Sequence, residues 1–280
     1  MDYSKEIESV RTKLQQLSEP PRHVEYSELH IVTAYCDRHG EFEQRHRKAL
    51  IGNIVSKTQC PDCLKTELDI LISKQKRESD RARSAKVDLL MGNLQLPERF
   101  AHATLDNYEA INDESIRCLK LCKAYASKWP DRLKQGGGLV MCGKPGTGKN
   151  HLALAIAKYV ITEYQSAAMF TTALRIARMF KSTWSKGAER TESDVIKAYT
   201  DPDLLIIDEV GVQFGSDAEK LILFEIINTR YEKMRPTILI SNLPKDELSA
   251  FIGERVIDRM NDGGGCTLAF TWDSYRSRAS

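Results

Sequence analysis

Near the start of the chain, apolar residues recur at helical spacing. Ile7, Val10, Leu14 and Leu17 fall three or four residues apart, which predicts an amphipathic helix over residues 3–18. Pro20-Pro21 ends it. The segment between His39 and Cys60 is short and polar and buries little apolar surface by itself. Residues 64–92 then read as a charged helix. Its Lys74–Arg83 stretch carries five basic and two acidic residues, the pattern of a solvated face or connector. Gly92-Asn93 and Pro97 place a boundary near residue 95. Beyond residue 100 the pattern changes to short apolar runs at 139–142, 168–171, 204–207, 237–241 and 267–271. Helical segments fall between most of them. This alternation predicts an α/β domain whose parallel sheet is covered by helices on both faces. The expected domains are a helix plus a metal-binding module over 1–64, a charged helical linker over 65–95 and an α/β domain over 96–280.

Composition narrows the classes. The 280 residues carry 41 Lys and Arg against 39 Asp and Glu, a net charge of +2. Global charge therefore does not mark a nucleic-acid binder, and any basic face must be local. No run of 18 apolar residues occurs, so no transmembrane span is expected. The first residues lack an apolar signal region, so the expected location is the cytoplasm. In that compartment the seven cysteines read as thiols or metal ligands rather than disulfides.

Residues 143–150 read Gly-Lys-Pro-Gly-Thr-Gly-Lys-Asn, between a short aliphatic strand and an alanine-rich helix. Strand, glycine-rich turn and helix form a phosphate-binding loop. Backbone N–H groups of Gly143, Lys144, Pro145-flanked Gly146, Thr147 and Gly148 converge on a polyphosphate. The helix beginning near Lys149, Asn150 and His151 adds its positive end. Lys149 reaches the outer phosphates. Asn150 stands where a hydroxyl usually meets Mg²⁺. Its amide oxygen suits a hard cation, although poor metal placement and an empty loop are also readings of that residue. Leu204–Ile207 then leads into Asp208-Glu209. An aliphatic strand thus delivers two carboxylates to the sheet edge where ligands bind. Asp208 would hold Mg²⁺ or its waters, and Glu209 would polarise an attacking water. Asn242 ends the next strand and would sense the γ-phosphate.

A second constellation lies upstream. Cys36-x-x-His39-Gly40 and Cys60-Pro61-x-Cys63 are two knuckles whose thiolates and imidazole suit a closed tetrahedral Zn²⁺ site. His46 is a spare histidine without a matching partner.

The region from about 95 to 280 resembles the AAA+ ATPases, and closely the bacterial DnaC-type replicative helicase loaders. The stretches that carry the resemblance are 143–153, 204–213, Gly253-Glu254-Arg255-Val256-Ile257-Asp258-Arg259-Met260 and Trp272-Asp273-Ser274-Tyr275-Arg276-Ser277-Arg278. The enterobacterial loader also carries Asn at the end of its phosphate loop. The resemblance implies ATP as nucleotide. It implies a role for Arg259, with Arg255 as the nearby alternative, as a finger completing a neighbouring subunit's site in a spiral or ring. It also places Arg276 on nucleotide in the same subunit. It implies a single-stranded DNA contact at the insertion between the second and third strands, where Arg175, Arg178, Lys181 and Lys186 supply charge and Phe180 and Trp184 are interleaved aromatics. Ile176, Met179 and Phe180 also read as core positions. The implied partner is a hexameric DnaB-type replicative helicase, in a bacterial or prophage setting. The N-terminal region departs from the enterobacterial loader, which lacks the zinc motif. By position, gripping the helicase would fall to the first helix or the zinc module. An IstB-type transposition helper and a nucleotide-switched, non-hydrolysing adaptor are the alternative expectations.

Overall fold

The computed structural model describes residues 2–51, 54–211 and 217–275, and the chain divides into two compact units, 1–84 and 85–280. In the first unit, α1 (Ser4–Ser18) packs Ile7, Val10, Leu14 and Leu17 against Leu64, Leu68 and Leu71 of α2 (Pro61–Asn93). Each set repeats at helical spacing, so two apolar stripes close on each other. Between these helices the chain forms an antiparallel sheet of β1 (Ser27–Cys36), β2 (Gly40–Ala49) and β3 (Val55–Lys57), in that order. This sheet was not expected from the sequence. β2, GEFEQRHRKA, has almost no apolar content. It is held by its ladder to β1 and by its arginines. The Arg45 guanidinium donates to the carbonyls of Gln16, Leu17 and Glu19 at 2.9–3.0 Å, satisfying the open C-terminal end of α1.

The second unit is the expected α/β domain. Its helices are α3 (Asp113–Ser127), α4 (Trp129–Gln135), α5 (Lys149–Tyr164), α6 (Ala173–Ser182), α7 (Glu192–Thr200), α8 (Asp217–Glu232), α9 (Lys245–Ile252) and α10 (Glu254–Asn261). Its strands are β4 (Leu139–Gly143), β5 (Ala168–Thr172), β6 (Leu204–Asp208), β7 (Thr237–Ile240) and β8 (Cys266–Phe270), arranged β5-β6-β7-β4-β8. All adjacent pairs are parallel. Leu139 to Cys142, Leu204 to Ile207 and Ile238 to Ile240 are essentially inaccessible, because helices cover both faces. One core joins α3, α4 and α5 to the sheet through Cys122, Trp129, Leu152, Ile156 and Phe270; the other joins α6, α8 and α10 through Ile176, Phe180, Ile226 and Met260.

Arg230 ties the base of the sheet. It is fully buried, and its guanidinium donates to the Thr237 hydroxyl and to the carbonyls of Tyr199, Pro202, Asp203 and Pro236 at 2.7–3.2 Å. Loss of hydration lowers its pKa to about 9. The strand order sets β7 between β6 and β4. The turn after β4, the acids after β6 and the polar end of β7 therefore meet at one carboxyl edge.

Candidate nucleotide and metal sites

Gly143, Gly146 and Gly148 adopt φ of 116°, 75° and 90°, a left-handed backbone that glycine enters without a Cβ penalty. Space is as restrictive as torsion. A Cβ on Gly146 would lie 1.9 Å from Ser274 Oγ, and one on Gly148 would lie 2.5 Å from the Tyr108 ring. The loop curls back so that Lys149 Nζ donates to the carbonyls of Gly143 (2.7 Å) and Lys144 (2.6 Å). Burial pushes this lysine's pKa down to about 8, although Asp208 opposes the shift.

Asn150 Nδ2 donates to Asp208 Oδ2 at 2.6 Å, while the Glu209 N–H donates to Asp208 Oδ1 at 2.7 Å. Burial raises the Asp208 pKa, and these two hydrogen bonds oppose the shift. With its amide nitrogen committed to Asp208, Asn150 keeps its oxygen for a cation. Amide and carboxylate oxygens form a hard donor set that fits Mg²⁺. Glu209 has φ 59°, which costs about 1 kcal/mol or more in a residue with a Cβ. The next residue fixes it: Val210 is buried, its N–H donates to Ile240 O at 3.0 Å and its carbonyl accepts from Ser241 Oγ at 2.5 Å. Asn242 is exposed and lines the same cleft.

That cleft measures about 570 Å³ and gathers Pro145 to His151, Asp208, Glu209 and Asn242. The phosphate-loop, acid and Asn242 positions singled out in the sequence thus come together, with Gly143 and Lys144 at the loop's root. The segment after Pro97 carried no motif, yet Arg99, Phe100, His102, Tyr108 and Glu109 line the cleft too. The Tyr108 hydroxyl donates to Thr147 O at 2.9 Å, and its ring meets His151 edge-on with centroids 5.4 Å apart. His151 bonds the Thr104 carbonyl at 2.9 Å. From the other end of the unit, the Tyr275 N–H donates to Gly146 O at 2.9 Å. Tyr275 hydrogen-bonds Glu109, which raises its pKa. An aromatic-bearing loop between hydrophilic residues was the only signal for this wall.

Other expectations fall at varied places. Arg259 is half-buried; its guanidinium donates to Asn228 Oδ1 and lies 5.2 Å from the Tyr231 ring centroid. Arg255 is exposed on the same helix, one turn earlier. Arg276 and Arg278 lie outside the described residues, as do Val212 and Gln213. On α6, Arg175, Arg178 and Lys181 are exposed, and Lys181 pairs with Glu219 at 2.6 Å. Phe180 corrects the expectation of a base-stacking residue. It is 5 % exposed, within the core of Ile176, Val195 and Tyr199, because helical spacing from Ile176 turns it inward. Trp184 is 57 % exposed instead, its indole N–H bonded to Glu192 at 2.6 Å.

In the first unit, the β1–β2 turn presents Cys36 and His39, and the start of α2 presents Cys60 and Cys63. The four ligand atoms lie within 4.8 Å of one another. His39 Nδ1 is 3.3 Å from Cys63 Sγ and 3.7 Å from those of Cys36 and Cys60, and Cys36 and Cys63 sulfurs are 3.5 Å apart. A tetrahedron of ligands at about 2.3 Å has edges of about 3.8 Å, so the residues fit one zinc-sized ion. Backbone bonding at Arg38, then the His39 imidazole, lowers the Cys36 pKa to about 6; hydrogen bonding with Cys36 raises that of Cys63 to about 11. His46 stands apart from this group, in β2, its Nε2 bonded to Gln44 at 2.7 Å.

Comparison with known proteins supports an ATP-binding domain. The family described as IstB-like ATP binding protein matches residues 56–278. The replicative helicase loader DnaC of Buchnera aphidicola subsp. Acyrthosiphon pisum is 37% identical over 194 residues, covering 69% of this chain and 77% of that protein. The Escherichia coli K12 protein of the same name is 34% identical over 179 residues, covering 64% and 71%. The crystal structure of the DnaC helicase loader shares the fold, with TM-score 0.55 at 24% identity over 62% of this chain and 99% of that one. The crystal structure of DnaI does so as well, with TM-score 0.52 at 17% identity over 64% and 94%. The chain belongs to the IstB-like family of ATP-binding proteins, in which it is similar to the DnaC replicative helicase loaders.

Proposed function

We propose that this protein is an ATP-dependent loader of a replicative DNA helicase. The observation that carries the reading is a complete phosphate-loop and acid cleft in a chain whose 34–37% identical relatives are named as such loaders. The transposition-helper alternative is not favoured, because the relatives at 34–37% identity are named helicase loaders.

ATP enters the cleft with its phosphates along Pro145 to Lys149. Lys149 exchanges its two loop carbonyls for phosphate oxygens. Asn150 and Asp208 are the protein groups that would hold Mg²⁺, which supplies positive charge against the developing phosphoryl charge. Glu209 accepts the proton of the attacking water, and Asn242 orients the γ-phosphate. Arg255 and Arg259 serve an adjacent subunit's site in a spiral or ring, with Arg259 leaving Asn228 and Tyr231 to reach it. Arg276 serves the nucleotide of its own subunit. Single-stranded DNA runs along α6, where Arg175 and Arg178 take phosphates, and past its end, where Trp184 stacks a base, and it stimulates turnover. Cys36, His39, Cys60 and Cys63 hold a structural Zn²⁺. The zinc module, by its position in the chain, grips a hexameric DnaB-type helicase.

The test is capture of a replicative helicase by the full chain under ATP and under ADP, beside phosphate release with and without single-stranded DNA. Wild type should capture the helicase. Lys149→Ala should lose nucleotide-dependent release, and Glu209→Gln should bind ATP without turning it over. No helicase complex under either nucleotide would overturn the proposal.

A further inference from the structure

β1 is an edge strand whose outer side is open. Its ladder to β2 runs from Ser27↔Ala49 to Cys36↔Gly40, and the Leu50 N–H donates to Tyr26 O at 2.9 Å. Antiparallel ladders alternate hydrogen-bonded and non-bonded pairs. The backbone groups of Glu28, His30, Val32 and Ala34 therefore face β2. The far side of β2 agrees, since Arg45 O accepts from Thr58 N at 3.1 Å. The N–H and C=O groups of Ser27, Leu29, Ile31, Thr33 and Tyr35 consequently point away from the sheet. Among the described residues, none hydrogen-bonds to those groups.

Natural edge strands are shielded by brevity, proline, bulges or charge. The other edge of this sheet follows that rule, because β3 has 3 residues and ends in Lys57. β1 does not. It has 10 residues in unbroken register, and its outward positions carry no charge and no proline. Ile31 is 54% exposed and Tyr35 73%.

We propose that β1 is a homodimer interface, in which two copies join antiparallel at their free edges about a twofold axis through Ile31. In this register Ile31 meets Ile31, Leu29 meets Thr33 and Ser27 meets Tyr35, so every outward backbone group of the strand finds a partner. Glu28 falls opposite Ala34 and His30 opposite Val32, so no like charges are opposed. Centring on His30 would set two imidazoles against each other. Centring on Val32 would leave Ser27 unpaired and press Glu28 against Cys36 of the metal knuckle. The strand's own sequence thus answers its own edge, as an isologous contact requires. The two three-stranded sheets become one continuous sheet.

The test is sedimentation equilibrium of the full chain without nucleotide, from micromolar to sub-millimolar concentration. Omitting nucleotide separates this contact from any assembly through Arg255 or Arg259. Wild type should show a monomer–dimer equilibrium. Ile31→Lys sets two ammonium groups at the axis, and Thr33→Pro removes an outward N–H without touching the β2 ladder; each should weaken dimerisation by at least ~10-fold. Far-ultraviolet circular dichroism and zinc content report whether each variant keeps its fold. In wild type, amide exchange at Leu29, Ile31 and Thr33 should slow as concentration rises, a readout that needs no variant. A wild type that stays monomeric throughout, a dimer untouched by both substitutions, or exchange independent of concentration would overturn the proposal.

Discussion

Nucleotide affinity should fall as pH rises through about 8, the value to which burial depresses the Lys149 ammonium. A neutral amine still has N–H groups for the carbonyls of Gly143 and Lys144, so deprotonation leaves the empty loop intact. A bound polyphosphate instead favours the charged form and raises this pKa. The sign follows by linkage. Below about 8 the lysine is already charged and binding moves no proton. Above it, binding must take one up, and affinity drops about tenfold per pH unit, or about 1.4 kcal/mol. With an empty-site pKa of about 8, proton uptake at pH 9 should approach ~0.9 per nucleotide. The assay is titration with a fluorescent ATP analogue between about pH 7.5 and about 9.5, with calorimetry in buffers of different ionisation enthalpy to count protons. Lys149→Arg keeps its charge throughout and should show a flat profile at lower affinity. Wild-type affinity that is constant across this range, or binding at pH 9 without proton uptake, would refute the assignment of Lys149 as a desolvated phosphate ligand.

Gly146→Ala should weaken ATP binding by about tenfold or more, because its Cβ would displace Ser274 from a loop held at positive φ; the same titration checks it. Arg230→Ala should lower unfolding free energy by at least ~3 kcal/mol in urea, since it strands the buried carbonyls of Tyr199 and Pro236 and the half-buried one of Pro202. Arg230→Lys should recover only part, as one ammonium cannot replace the planar fork. A strong zinc chelator, or Cys63→Ala, should melt the first unit at lower temperature in calorimetry while ATP affinity stays unchanged.

The sheet of the second unit was legible because its inner strands β4, β6 and β7 are buried aliphatic runs, which have few alternatives once helices flank them, while β5 (AMFTT) and β8 (CTLAF) are mixed apolar runs at the edges. Predicted and observed strands differ by about one residue at their ends: 204–207 against Leu204–Asp208, 237–241 against Thr237–Ile240. The phosphate loop and the acids were legible because local spacing fixes them. The cleft's other wall was not. Tyr108 reaches the phosphate loop, and Glu109 reaches Tyr275, only through tertiary contact, and nothing in their spacing announces it. β2 was missed for a related reason. Its stability comes from a neighbouring strand and from Arg45 bonding to α1 carbonyls, neither of which leaves an apolar period. On α6 helical phase decides between the two readings of Phe180: it shares the buried face of Ile176, whereas Arg178 and Lys181 do not.

The left-handed backbone at Glu209 sets robustness against turnover at a single position. Glycine would relax that torsion and should raise the melting temperature, but it would strip the cleft of the carboxylate proposed to steer water. Screens that reward heat tolerance alone should therefore drift toward glycine here, and selection for the proposed hydrolysis should hold the glutamate in its strained turn.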